Sequence, residues 1–123
     1  MSIMVSVKKK FIVITGGAGF VGSNLIEVLL KKTKKNLISI DNYSSGNKKN
    51  HLEHSRIKYI KGNTQNINSL LKKYKLNIET IFHFGEFSRI YQSFHKFSQC
   101  FKSNSIGTNE VFKFCLENNI KLI

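Results

Sequence analysis

Residues Phe11–Ser23 read FIVITGGAGFVGS, and the change of composition along this stretch decides the fold. The run Phe11–Thr15 is apolar and rich in β-branched side chains, as expected of a strand buried on both faces. It passes directly into Gly16, Gly17, Gly19 and Gly22, and three of these glycines have the spacing GxxGxxG. Val21, Leu25, Ile26, Leu29 and Leu30 then recur at helical spacing, and Lys31 and Lys32 close the segment. A strand that turns sharply into a helix needs glycine where the turn is tight and where helix and strand pack close. Such a turn aims unbonded N–H groups and the positive end of the helix dipole at one spot, which suits a phosphate. No Gly-Lys-Ser/Thr follows, so a P-loop is excluded.

The next strand sharpens the reading. Asn36–Asp41 (NLISID) is a second apolar run, and its last residue is the only aspartate in the chain. An acid at a strand end is often a turn former. About 20 residues beyond a glycine loop, however, it stands where a carboxylate accepts hydrogen bonds from the ribose hydroxyls of a dinucleotide. A negative charge there repels a 2′-phosphate, so NAD is expected in preference to NADP. Lys48 and Lys49 lie close by in sequence and carry the opposite charge.

The rest of the chain keeps the same rhythm. Arg56–Lys61 alternates as a strand, Ile67–Lys75 reads as a helix, and Glu79–Phe84 is a fourth strand. Phe97–Asn118 is mostly helical, and Ile120–Ile123 opens a fifth strand. A short helix is expected around Lys48–His54. Strands alternating with helices predict an α/β fold: a Rossmann-type, doubly wound parallel sheet of about five strands. Residues 1–123 form one cofactor-binding unit in this reading, without linkers or repeats. The chain stops on an apolar strand with no cap, so we expect a sheet cut short and a marginally stable fold with an unpaired edge.

Composition narrows the setting. The formal charge is +13, from 20 Lys+Arg against 7 Asp+Glu. Such a balance is a footprint of nucleic-acid binders, yet only Arg56 and Arg89 are arginine, the residue that base reading and bidentate phosphate contacts favour. The lysines are scattered towards the ends of the expected elements, as solvated helix-end charges. The chain is also rich in Asn, Ile, Phe and Tyr and has no proline, a bias that A/T-rich codons would produce. Neither a nucleic-acid partner nor a membrane is expected. No apolar run approaches the roughly 18 residues of a membrane span, no signal peptide is expected at Met1–Lys10, and Cys100 and Cys115 read as free thiols. Together these predict a cytoplasmic protein.

Four motifs in order resemble the extended short-chain dehydrogenase/reductase family, in particular its NAD-dependent sugar-nucleotide epimerases and dehydratases. Thr15–Ser23 is similar to that family's TGGAGFIGS fingerprint, and Asp41–Gly46 to the DN(L/F)STG segment of UDP-hexose 4-epimerases. Ile81–Gly85 is similar to VFHLA on the fourth strand, and Asn104–Thr108 to NVxGT on the following helix. The resemblance implies that Gly16, Gly19 and Gly22, with Phe20 and Val21 opening the helix, meet the pyrophosphate, and that Asp41 and Asn42 meet the adenosine ribose. It puts Asn63 and Thr64 at the adenine, Phe84 and Gly85 beside the nicotinamide ribose, and Asn104 near the reacting centre. The family has an aspartate where this chain has Asn63, and Ala or Gly where it has Glu86. An asparagine still offers a side-chain oxygen to the adenine amino group.

The resemblance also implies a UDP-hexose 4-epimerase in which NAD removes hydride from the sugar C4 and returns it; a 4,6-dehydratase or reductase shares every motif. The full-length enzyme would take a nucleotide sugar such as a UDP-sugar, and a homodimer is possible on the same grounds. No catalytic residue is expected in this chain. Family chemistry needs Tyr-x-x-x-Lys and an upstream Ser/Thr, with the tyrosine as base. Tyr43, Tyr59, Tyr74 and Tyr91 are followed four residues on by Asn47, Asn63, Ile78 and His95. The chain therefore reads as the cofactor-binding part of an enzyme; a catalytically incomplete binding module or a basic nucleic-acid-binding domain is the contrasting class.

Other residues have plainer roles. His51 and His54 lack a third metal ligand nearby and read as a solvated pair, so no metal is expected. His83 reads as a hydrogen-bonded core histidine. The aromatic series Phe84, Phe87, Tyr91, Phe94, Phe97 and Phe101 has the spacing of a core-facing helical stripe. Ser88 and Arg89 follow the fourth strand at its carboxyl end, where substrates enter such sheets. Arg89 either meets a substrate phosphate or caps the surface.

Overall fold

A computed structural model describes residues 9–85 and 102–123. Five parallel strands form one sheet in the order β3-β2-β1-β4-β5. They are β1 (Phe11–Thr15), β2 (Asn36–Asp41), β3 (Ile57–Lys61), β4 (Ile78–His83) and β5 (Lys121–Leu122). Helix α1 (Phe20–Lys32) joins β1 to β2, α2 (Ile67–Leu70) lies between β3 and β4, and α3 (Thr108–Glu117) precedes β5. The chain starts in the middle of the sheet and moves outward first to one edge and then to the other. Two connections therefore diverge at the carboxyl ends of β1 and β4, and that divergence opens a crevice.

Alternation along the strands builds two cores. Val13, Ile38, Ile40 and Ile81 face Ile67 and Leu71 and the α3 residues Val111, Phe114 and Cys115. Ile12, Ile14 and Leu37 face Ile26 of α1 on the opposite side. The parallel register runs through β1–β2 (Val13 with Ile38) and β2–β3 (Ile40 with Ile60) and brings the strand ends level. Burial pushes the free Cys115 thiol up to about 11, so it is a small core hydrophobe at neutral pH. Cys100 lies outside the described residues.

The helix expected over Ile67–Lys75 is shorter than its pattern implies. Its α-helical part ends at Leu70, and Tyr74 N–H to Leu71 O and Asn77 N–H to Tyr74 O close successive tight turns. The Asn77 carbonyl then accepts from both Lys10 and Phe11 N–H groups at 2.9 Å. Docking the start of β4 beside β1 prevails over local helical preference. The short helix expected around Lys48–His54 is a single turn at Lys48–Asn50, capped by the Asn47 side chain on Lys49 N–H. The expected helix over Phe97–Asn118 appears, within the described residues, as a wide turn at Lys102–Gly107 followed by α3. No helix among the described residues is long and apolar enough to cross a membrane.

Candidate functional site

The carboxyl ends of β1, β2 and β4 surround a cavity of about 380 Å³. Its floor is the turn from β1 into α1. Gly16 has φ +72°, which L side chains rarely adopt, and a Cβ there would lie 2.6 Å from the Phe84 carbonyl oxygen. At Gly22 a Cβ would lie 2.3 Å from Gly16 O, so the first turn of α1 closes over the loop only with glycine. The first intrahelical bond is Ser23 N–H to Gly19 O, 3.0 Å. The N–H groups of Phe20, Val21 and Gly22 precede it and have no acceptor within the helix. All three residues line the cavity, and no acid occupies the first turn. The helix end is therefore a site for an anion.

Asp41 forms the adjoining wall and is almost wholly buried. One carboxylate oxygen accepts the Ala18 N–H of the glycine loop at 3.0 Å, and the other accepts the Tyr43 N–H at 2.8 Å. Each oxygen keeps further lone-pair capacity, which suits a vicinal diol. Asn42, Ser44, Ser45 and Gly46 continue this wall. Asn47 N–H and the Asn50 side chain both donate to the Ala18 carbonyl, at 3.0 and 2.8 Å, and tie the β2 connection to the glycine loop. Thr64, Phe84 and Gly85 line the far side.

Asn63 and Asn104 are not among the wall residues. The Asn63 side-chain oxygen accepts from the Asn42 amide at 2.8 Å, which turns it towards its neighbour across the strand ends. Asn104 is half-buried in the turn before α3. Ser88, Arg89, Glu86 and the aromatics Phe87 to Phe101 lie outside the described residues.

His83 does more than its sequence context suggested. It lines the cavity, and its two ring nitrogens pair with Thr15 Oγ1 at 2.6 Å and Thr108 Oγ1 at 2.9 Å. Thr15 Oγ1 in turn accepts from Gly85 N–H at 3.0 Å, so β1, β4 and α3 are tied at one rim of the crevice. Ser44, Ser45, Gly46 and Gly62 are wall residues that sequence reasoning did not single out as contacts. The available signal was position: they sit immediately beyond the carboxyl ends of β2 and β3. Among the described residues no three His, Cys, Asp or Glu side chains converge as a metal site. His51 stacks on Tyr59, and His54 accepts from Arg56 N–H.

A glycine cradle, a free helix N-terminus and a strand-end carboxylate around one crevice fit an adenine dinucleotide, and the fold that presents them is a Rossmann-type α/β domain. Comparison with known proteins makes the assignment specific. Residues 12–123 match the model of the NAD-dependent epimerase/dehydratase family, and the chain belongs to that family. It is 30% identical over 113 residues to an ADP-L-glycero-D-manno-heptose-6-epimerase of Brachyspira hyodysenteriae, covering 90% of this chain and 35% of the relative. An epimerase structure from Methanothermobacter thermautotrophicus superposes with a TM-score of 0.81 at 28% identity, over 92% of this chain and 33% of the other. A UDP-N-acetylglucosamine 4-epimerase from Methanobrevibacter ruminantium, solved with UDP-N-acetylmuramic acid, gives a TM-score of 0.79 at 28% identity, over 94% of this chain and 37% of the other. The chain thus spans about a third of the length of the relatives it matches.

Proposed function

We propose that this chain is the NAD-binding portion of a nucleotide-sugar epimerase or dehydratase, with a UDP-hexose 4-epimerase as the preferred assignment. The observation that carries the proposal is the convergence of the Gly16–Gly22 loop and the Asp41 carboxylate on one cavity. In this reading the N–H groups of Phe20, Val21 and Gly22 meet the pyrophosphate, and Asp41 with Asn42 holds the adenosine ribose. Phe84 and Gly85 stand beside the nicotinamide ribose. Thr64 and Asn63 border the adenine, with Asn63 acting through its remaining lone pair. Bound NAD supplies reversible hydride acceptance at the sugar carbon.

No tyrosine in the chain is followed at the fourth position by lysine, so the base belongs to polypeptide outside these residues. Ser88 and Arg89 are proposed to face the nucleotide sugar, and Asn104 to border the reacting centre. A cytoplasmic location belongs to the same proposal, supported by the free, buried Cys115 thiol.

The test is product analysis with NAD and UDP-glucose. The chain alone is expected to leave UDP-glucose unchanged, and a protein extended to include the Tyr-x-x-x-Lys pair is expected to form UDP-galactose. A 4-keto-6-deoxy product would move the assignment to a dehydratase. Turnover by the chain alone would contradict the placement of the base outside it.

A further inference from the structure

Outside the cavity, three rings from separate parts of the sequence meet behind the Asp41 wall. Tyr43 sits between Asn42 and Ser44, which line the cavity, but does not line it itself. Its φ is +62°, a left-handed conformation that is costly for a bulky side chain and persists only where surrounding contacts over-determine it. Those contacts are present. Its N–H donates to Asp41 Oδ1 at 2.8 Å, and its hydroxyl pairs with His51 Nε2 at 2.8 Å. The His51 ring stacks on Tyr59 with centroids 3.7 Å apart and planes 11° apart. The Tyr59 hydroxyl accepts from Leu52 N–H at 2.8 Å, and Tyr59 itself is fixed on β3 opposite Ser39.

Neither Tyr43 nor His51 belongs to either hydrophobic core. Their contacts hold the β2 connection, and Tyr59, which packs against the core on the α1 side, anchors them to the sheet. Burial, with Asp41 and Tyr59 adding to it, pushes the Tyr43 phenol above its usual value, so its hydroxyl keeps its proton. One ring stack and two hydrogen bonds form a line from the sheet to the acid: Tyr59 of β3 stacks on His51, His51 pairs with the Tyr43 hydroxyl, and Tyr43 N–H donates to Asp41. A backbone that would otherwise relax from positive φ is clamped, and the carboxylate is clamped with it.

We propose that Tyr59, His51 and Tyr43 form a strut that positions Asp41 and the wall after β2 for the ribose of an adenine dinucleotide, with His51 as the positioning residue. The proposal rests on the reading of the cavity as the NAD site. Its effect is greatest at the ribose end, because the anion site at the start of α1 is built from backbone N–H groups on a different element, joined to this wall through Ala18.

Calorimetric titration of the full chain with ADP-ribose and with inorganic pyrophosphate separates the two ends. His51→Ala is expected to weaken ADP-ribose about tenfold, the equivalent of one lost and formerly well-placed hydrogen bond, while pyrophosphate stays within about twofold. His51→Phe, which keeps a ring on Tyr59, and Tyr43→Phe, which removes only the hydroxyl, are expected to fall between. Tyr43→Phe carries the test if His51→Ala fails to fold. ADP-ribose affinity unchanged in the folded variants would overturn the strut, and so would equal weakening of both ligands, which marks general loss of structure. Failure of the unaltered chain to bind ADP-ribose would instead remove the site reading, and the strut with it.

Discussion

Ser39 and Asp41 lie two apart on the same strand, both buried and both polar, and the structure treats them oppositely. Asp41 accepts two backbone N–H groups. Among the described residues the Ser39 hydroxyl has no hydrogen-bond partner, and it sits against Gly17, where a Cβ would lie 2.0 Å from Ser39 Oγ. An unpartnered buried hydroxyl costs about 1–3 kcal/mol in desolvation. Ser39→Ala removes that cost and leaves a small void, so denaturant unfolding should show stability unchanged or raised by up to about 1 kcal/mol. A loss above about 1 kcal/mol would reveal a partner for the hydroxyl. The sequence marks Asp41 because it ends a strand beyond a glycine loop. It does not mark Ser39, since a serine within NLISID reads the same whether its hydroxyl is satisfied or not. Likewise the family resemblance proposes Asn63 for the adenine, but its bond to Asn42 is a tertiary fact that spacing along the chain does not encode.

Helix α1 shows how one element draws its ending from elsewhere in the chain. Lys31 and Lys32 complement the dipole in its last turn, and Thr33 N–H bonds back to Leu29 O. The exposed Lys31–Glu27 pair, at 3.4 Å, adds little. The larger contribution comes from Arg56 at the start of β3. Its guanidinium donates to the carbonyls of Leu30 at 2.6 Å, Thr33 at 2.9 Å and Lys35 at 2.8 Å. The planar fork reaches three acceptors that a lysine ammonium cannot match in one position. Arg56→Ala should lower stability by about 1–3 kcal/mol, and Arg56→Lys should recover less than half of that loss. Full recovery by lysine, measured by chemical denaturation, would show that charge alone is at work. The start of α1 was legible because its glycines and helical spacing are local. Its end at Lys31 and Lys32 was legible too, but the Arg56 guanidinium that braces it was not, because that residue lies more than twenty positions downstream. The early end of α2 has the same cause: Asn77 must reach Lys10 and Phe11, and that demand is invisible to helical periodicity.

At the scale of the molecule, strand–helix alternation made the parallel sheet readable, because the central strands β1 and β2 are near-continuous buried runs. The crevice follows from the strand order β3-β2-β1-β4-β5, which makes the connections diverge beside β1. The site is the meeting point of what the sequence showed, the glycine loop and Asp41, with what it did not, the His83 tie and the ring strut. The excess of lysine spreads over helix ends, turns and strand β3, with Lys31 and Lys32 closing α1 and Lys48 and Lys49 in the turn after β2. The account therefore stands on a neutral-backbone anion site and one acid, not on the net charge. Titration calorimetry of the chain with NAD and NADP, repeated on Asp41→Ala, tests this most directly. NAD should bind at least about tenfold more tightly than NADP, and Asp41→Ala should weaken NAD by about 10–100-fold while bringing the two cofactors closer together. Equal NAD affinity in the parent and in Asp41→Ala would contradict the account.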